Sequence, residues 1–142
     1  MPEVIQAGAI TITFLLTKDD TGGALTMFEA TVPPGAGVGV PHYHSGWEET
    51  IYGIDGTTTM TVAGKRIDVK AGEALVIPRG VVHALKNETD RPARSLAVIT
   101  PGMLGPEFFR EIAAIAIPGA PPDPKKMADV MARHGLVPVP NG

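Results

Sequence analysis

His42 and His44 stand two positions apart in the run Pro41-His42-Tyr43-His44, and a carboxylate, Glu49, follows five positions later. Residues i and i+2 of a β-strand leave the same face. Two imidazoles therefore project from one side of one strand, with a carboxylate on the next strand able to meet them. The chain has only four histidines, and a third, His83, lies in a second patterned stretch with Gly72, Pro78, Gly80 and Asn87. Imidazole nitrogen with carboxylate oxygen is a donor set for first-row transition metals. Cysteine is absent, so disulfides and thiolate ligands are excluded and any metal is held by nitrogen and oxygen.

Each of these residues also has a purely structural role open to it. Edge histidines need no ligand, and a lone buried His83 can be a hydrogen-bonded core residue. Glu48 and Glu49 are adjacent and so point to opposite faces of their strand; one is a ligand and the other a solvated charge. His134 falls on an apolar stripe with Met127, Val130 and Met131 near a helix C-terminus, where a cation complements the macrodipole. Gly56, Gly72, Pro78 and Gly80 read as backbone punctuation, and Asn87 as a hydrogen-bonding residue at a strand end. Val40, Ile51, Gly53 and Leu85 are in phase with the histidines and carboxylate, which predicts a largely apolar pocket with one polar end. Tyr43 and Tyr52 alternate away from it.

The elements that must position these groups are mostly strands. Glycine (17) and proline (14) are abundant and fall between short apolar segments, the pattern of an all-β chain. Alternation predicts strands over residues 7–17, 24–32, 49–54, 57–62, 66–69, 74–77, 83–87 and 95–100, with the His42–His44 strand after a glycine loop at 33–39. Residues 18–23 read as a turn, and Asp55-Gly56 as a type I′ hairpin. Strands of this length and spacing make a double-sheet jelly roll or barrel. After Gly102 the period changes. Pro106 opens a helix bearing Phe108, Phe109 and Ile112, and Asp123-Pro124 caps a second that stops at Gly135. These helices pack outside the sheets or across a barrel mouth, and residues 138–142 form a frayed tail.

At 142 residues the chain reads as a single domain, with a barrel over about 7–100 and a helical tail over about 103–142. Net charge is −3 with no basic run, so nucleic acid and anionic membrane are poor partners. The start Met1-Pro2-Glu3 lacks a basic leader region, and the apolar run at 7–16 is too short to span a bilayer; a cytoplasmic location is the default expectation. The run at 7–16 is also long and β-branched, and an exposed strand edge of that kind is usually paired, which predicts a homodimer joined through edge strands or sheet faces.

The two patterned stretches resemble the two motifs of the cupin superfamily. The first, H-x-H, four residues, E, six residues, G, is met by His42, His44, Glu49 and Gly56; the second, G, five residues, P-x-G, two residues, H, three residues, N, is met by Gly72, Pro78, Gly80, His83 and Asn87. At the front of the first motif Gly35, Gly37 and Gly39 flank the family's glycine position without matching it. The resemblance covers roughly residues 24–100. It implies a double-stranded β-helix and a metal held by His42, His44, Glu49 and His83, with Glu48 as the alternative carboxylate. Iron, manganese or nickel are the foremost metals, with zinc, cobalt or copper as further options. Two coordination positions then stay open for a small-molecule substrate, and Glu49 is placed to act as general base. Cupins with this ligand set look most like quercetinase-type dioxygenases. The superfamily also holds isomerases, lyases and non-catalytic binding proteins, and all three classes stay open.

Overall fold

A computed structural model describes residues 2–139. Two antiparallel sheets face each other. The strands are β1 (Glu3–Ala7), β2 (Ile10–Leu16), β3 (Thr26–Val32), β4 (Gly37–His44), β5 (Glu48–Asp55), β6 (Thr57–Val62), β7 (Lys65–Lys70), β8 (Ala74–Ile77), β9 (His83–Lys86), β10 (Ala93–Thr100) and β11 (Leu136–Pro138). Three helices complete the fold: α1 (Lys18–Thr21), α2 (Pro106–Ile115) and α3 (Pro124–Arg133). One sheet runs β1-β2-β3-β10-β5-β8 and the other β11-β4-β9-β6-β7. From β4 onward the chain passes back and forth between them, interrupted only by the β6–β7 hairpin within one sheet, which is the jelly-roll plan. The expected all-β class with two C-terminal helices holds; the strands form two separately bonded sheets and no closed ladder.

Alternation explains the core. β10 reads buried at Ala93, Ser95, Ala97 and Ile99, with Arg94, Leu96, Val98 and Thr100 turned outward. Phe14, Phe28, Ile51, Met60, Val69 and Ile77 join the core from six other strands. The six-stranded sheet is wider than its partner, and α2 covers the overhang. Phe109 of that helix packs on Phe14 and Phe28, with ring centroids 5.7 and 5.2 Å away. Pro106 at N1 starts α2 as the sequence predicts, and Asp123 caps α3 by accepting from the Lys125 amide at 2.8 Å. Among the described residues, no helix is long and apolar enough to cross a membrane.

Four expectations need correction. The run at 7–16 is not an edge strand: it begins inside a hairpin, and β1 pairs with β2 from Glu3↔Phe14 to Ala7↔Ile10. Asp55-Gly56 is not a hairpin, because β5 and β6 belong to different sheets. Gly56 turns the corner with φ of 70°, where a Cβ would stand 2.4 Å from the Pro92 carbonyl oxygen. Residues 18–23, read as a turn, contain the single helical turn α1. The tail is not frayed through Pro138 and Val139. Leu136, Val137 and Pro138 pair with His44, Tyr43 and His42, and the Val139 amide donates to the Pro41 carbonyl at 2.8 Å; residues 140–142 lie outside the described chain.

Gly53 is a further departure, since it lines no pocket. A Cβ on it would fall 2.1 Å from the Lys70 carbonyl oxygen and 3.3 Å from the Ala71 nitrogen. Its amide donates to Glu73 and its carbonyl accepts from Gly72, so it marks a close crossing of β5 over the β7–β8 turn. Gly→Ala usually strengthens a strand. Here Gly53→Ala is expected to destabilise the fold by about 1–3 kcal/mol, the range of an overpacked site. Urea denaturation of the two proteins checks this, and an unchanged midpoint would show the crossing to be loose.

Candidate metal centre

The site forms where the two sheets meet at one end. His42 and His44 lie on β4, and His83 opens β9 opposite His42 in the ladder. All three come from the five-stranded sheet. Glu49 comes from the other, on β5. The ligand atoms of His44, Glu49 and His83 all lie within 4.8 Å of one another. His44 Nε2 is 3.4 Å from Glu49 Oε1, and His83 Nε2 is 3.9 Å from the same oxygen. His42 stands just outside this trio, its ring centroid 4.5 Å from that of His83. An irregularity in the β4–β9 register falls between Val38 and His42, directly ahead of the histidine pair.

Backbone carbonyls set the tautomers. His42 Nδ1 lies 2.9 Å from the Val40 oxygen, His44 Nδ1 2.8 Å from that of Trp47, and His83 Nδ1 2.9 Å from that of Val81. A carbonyl only accepts, so each Nδ1 carries the proton and each Nε2 is left with a lone pair. That arrangement is how metal-binding imidazoles are usually oriented. His44 Nε2 is buried and has no hydrogen-bond partner, an unmet need that a cation would satisfy. The residues present therefore fit a divalent metal.

Trp47, in the turn between β4 and β5, holds His44 twice. Its carbonyl fixes Nδ1, and its indole stacks on the imidazole with centroids 4.6 Å apart and planes 16° from parallel. Gly135 closes over the indole, where a Cβ would lie 3.2 Å from the ring. The second motif also reaches back, since the Gly80 amide donates to the His44 carbonyl at 2.8 Å. Asn87 satisfies all its polar groups at the strand end, donating to Val32 and Arg91 and accepting from the Thr89 amide and hydroxyl. Glu48 faces outward and pairs with Arg79. His134 pairs with Glu111 across α2 and α3, away from this site.

A cavity of about 40 Å³ runs from Glu49 into the space between the sheets. Ile51 and Leu85 line it as expected, together with Phe28, Met60, Thr58, Ser95 and Ala97. Val40 and Gly53 are not among its lining. Phe28, Thr58 and Ser95 lie outside both motifs, and only the register of β3, β6 and β10 brings them here.

Burial makes protonation of the imidazoles costly. It holds His42 down to about 4, with the neighbouring His83 ring adding to the effect, and it keeps His83 low as well. Burial alone would raise Glu49, but the adjacent His44 ring and the His83 and His42 imidazoles outweigh it and hold the carboxyl below its usual range. In the unfolded chain His42 titrates near 6.5. Between that value and about 4 the unfolded state binds the extra proton, so metal-free stability is full above the window and falls as pH drops through it. The expected loss is on the order of 3 kcal/mol. Urea midpoints of chelator-treated protein from neutral to mildly acidic pH check it, and His42→Asn is expected to flatten the curve.

Residues 28–99 match a family model described as the cupin domain. Quercetin 2,3-dioxygenase of Bacillus subtilis is 30% identical over 67% of this chain and 27% of its own length. The tetracenomycin polyketide synthase protein TcmJ of Streptomyces glaucescens is 33% identical over 66% of this chain and 63% of its own. Germin-like protein 1-1 of Oryza sativa is 34% identical over 82% of this chain and 53% of its own. The chain thus spans about a quarter to two thirds of the length of these curated relatives. A solved structure of a predicted oxalate decarboxylase from Thermotoga maritima superposes with a TM-score of 0.64 at 27% identity, over 71% of this chain and 92% of that one. With both histidine-bearing strands, the carboxylate strand and the matched segment coinciding, this chain belongs to the cupin family.

Proposed function

We propose that His42, His44, Glu49 and His83 hold one divalent transition metal, and that the chain is a metal-dependent enzyme of dioxygenase type acting on a small organic substrate. The buried, unpartnered Nε2 of His44 facing Glu49 Oε1 is the observation that carries this reading. Iron, manganese and nickel are the foremost candidates for an all nitrogen and oxygen donor set; zinc, cobalt and copper follow. A bound ion would polarise substrate oxygens and, where redox-active, pass electrons to dioxygen.

The chain's own residues do the rest. Glu49, ionised at neutral pH and at the mouth of the cavity, accepts the substrate proton. Phe28, Ile51, Met60 and Leu85 exclude water and select an apolar body. The cavity sets the size of that body. A cavity of about 40 Å³ is well short of the roughly 150 Å³ that holds a benzene ring, so it suits a slender body. Aromatic substrates, which the apolar wall alone would admit, are therefore disfavoured against compact ones with two neighbouring oxygens.

A decarboxylating lyase is the second reading. It draws on the same small cavity and on the likeness to the predicted oxalate decarboxylase. Against it, an anionic substrate buried without a paired cation would cost several kcal/mol, and no lysine or arginine lines the cavity.

Protein purified without a tag or added metal is expected to carry up to one first-row ion per chain, and His83→Ala to lose most of it while staying folded. Trp47, the only tryptophan, stacks on His44, so nickel or copper titration is expected to quench its fluorescence. Absence of uptake under every loading condition rejects the metal site. With a compact enol or β-diketone, oxygen uptake is expected and is lost in Glu49→Gln; turnover under nitrogen at an undiminished rate supports the lyase instead.

The homodimer now rests on a different surface from the run at 7–16. Tyr52 and Val76 on the outer face of the six-stranded sheet are 45% and 53% exposed. Leu96 lies beside Tyr52 in the ladder, and Val98 and Thr50 continue the row to Val76. Light scattering is expected to give twice the chain mass, falling to a monomer in Tyr52→Lys; a monomeric wild-type protein rejects this.

A further inference from the structure

The cavity beyond Glu49 is layered, and its far layer carries a chemistry of its own. On the six-stranded sheet, Glu49 pairs with Ile99, Ile51 with Ala97, and Gly53 with Ser95. Phe28 lies beside Ala97, and Ala30 beside Ser95. On the facing sheet, His83 pairs with Val62 and Leu85 with Met60; Thr58 is the next inward residue of β6 beyond Met60. Three levels result. The histidine and carboxylate level comes first. A level of Ile51, Phe28, Ala97, Met60 and Leu85 follows. The last is a level at which Ser95 and Thr58 meet the same cavity from opposite sheets.

Thr58 and Ser95 are 4% and 7% exposed. Polar side chains this buried normally have partners. Thr59, on the opposite face of β6, donates to Asp68 at 2.7 Å. No hydrogen bond to another described residue engages the hydroxyl of Thr58 or Ser95, and both side chains line the cavity. Two hydroxyls beyond the apolar level, with the only charged lining group on its other side, form a polar–apolar–polar template.

We propose that Thr58 and Ser95 are the specificity-determining pair of this cavity, binding a neutral oxygen at the distal end of a short, unbranched substrate whose other end carries the reacting oxygens beside Glu49. This rests on the metal-centre reading above for the near end. The distal group is neutral: a second carboxylate would have no cation to pair with inside the lining. Hydroxyls both donate and accept, so a hydroxyl, aldehyde or amide oxygen satisfies them. The middle level is walled by Phe28, Ile51 and Met60 and is narrow, so it admits methylenes and rejects branching.

The test uses cobalt-loaded protein and straight-chain hydroxamates, propano- to hexano-, each compared with its isostere bearing a terminal hydroxyl in place of the methyl. The hydroxamate end is a chelator, and binding is read from the cobalt absorption spectrum. At one chain length the hydroxyl-ended ligand is expected to bind up to about tenfold more tightly than its methyl-ended isostere, the value of one buried hydrogen bond. Ser95→Ala with Thr58→Val is expected to erase or reverse that preference while leaving cobalt stoichiometry unchanged. Equal affinities at every length in the wild-type protein overturn the proposal without recourse to any variant. A preference that survives in Ser95→Ala and in the double variant assigns the distal contact elsewhere and overturns it too. Failure to take up cobalt is a separate result, which removes the metal centre and the proposal with it.

Discussion

Three Nδ1–H groups bonded to three backbone carbonyls are the constraint on which this site depends. Val40, Trp47 and Val81 supply those carbonyls, each within three residues of its histidine. Local backbone therefore fixes each ring before any long-range contact forms. What remains is to bring β4, β9 and β5 together, and the sheets do that for reasons unrelated to metal. β4 and β9 pair within one sheet, while the buried face of β5, carrying Ile51, closes over them from the other. A carboxylate at the start of that face, one step beyond Ile51, meets the imidazoles because the hydrophobic packing aligns the two sheets.

The arrangement has an electrostatic cost in the absence of a cation. Glu49 brings a negative charge to three imidazoles, two of which, His42 and His83, are held low by burial. His44 Nε2 lies 3.4 Å from Glu49 Oε1 but completes no hydrogen bond. Protonating one imidazole would answer the charge, yet burial opposes it; a divalent ion answers it and uses every lone pair. A site strained against protons in this way would favour a metal ion over acid near neutral pH.

The two motifs were legible in the sequence because their spacings are short and their chemistry is confined to few residue types. His42, His44, Glu49 and His83 all face the region they were expected to face, and Glu48 turns out to Arg79 as adjacency on a strand requires. Strand phase also identified Ile51 and Leu85 as wall residues. It failed at Gly53, where the lack of a side chain serves a backbone crossing, and at Asp55-Gly56, whose hairpin signature instead turns a corner between sheets. Local turn chemistry fixes the bend of a chain; which sheet the next strand joins is decided by long-range pairing. Thr58, Ser95 and Phe28 could not be found from either motif, because their approach is a matter of register among β3, β6 and β10.

The C-terminal segment illustrates the same limit with a larger consequence. Its helices were legible from Pro106, Asp123 and Gly135, but their purpose was not. β11 bonds to the residues that carry His42 and His44, and Gly135 seats against the indole that stacks on His44. The edge of the histidine-bearing strand is thereby covered, which an exposed strand edge needs in any case. Covering it with the chain's own tail also removes solvent from the outer side of Trp47, 1% exposed in the folded protein. The rigidity of His44 is thus set partly by residues nearly a hundred positions away, and the histidine-bearing face of β4 is a product of both ends of the fold.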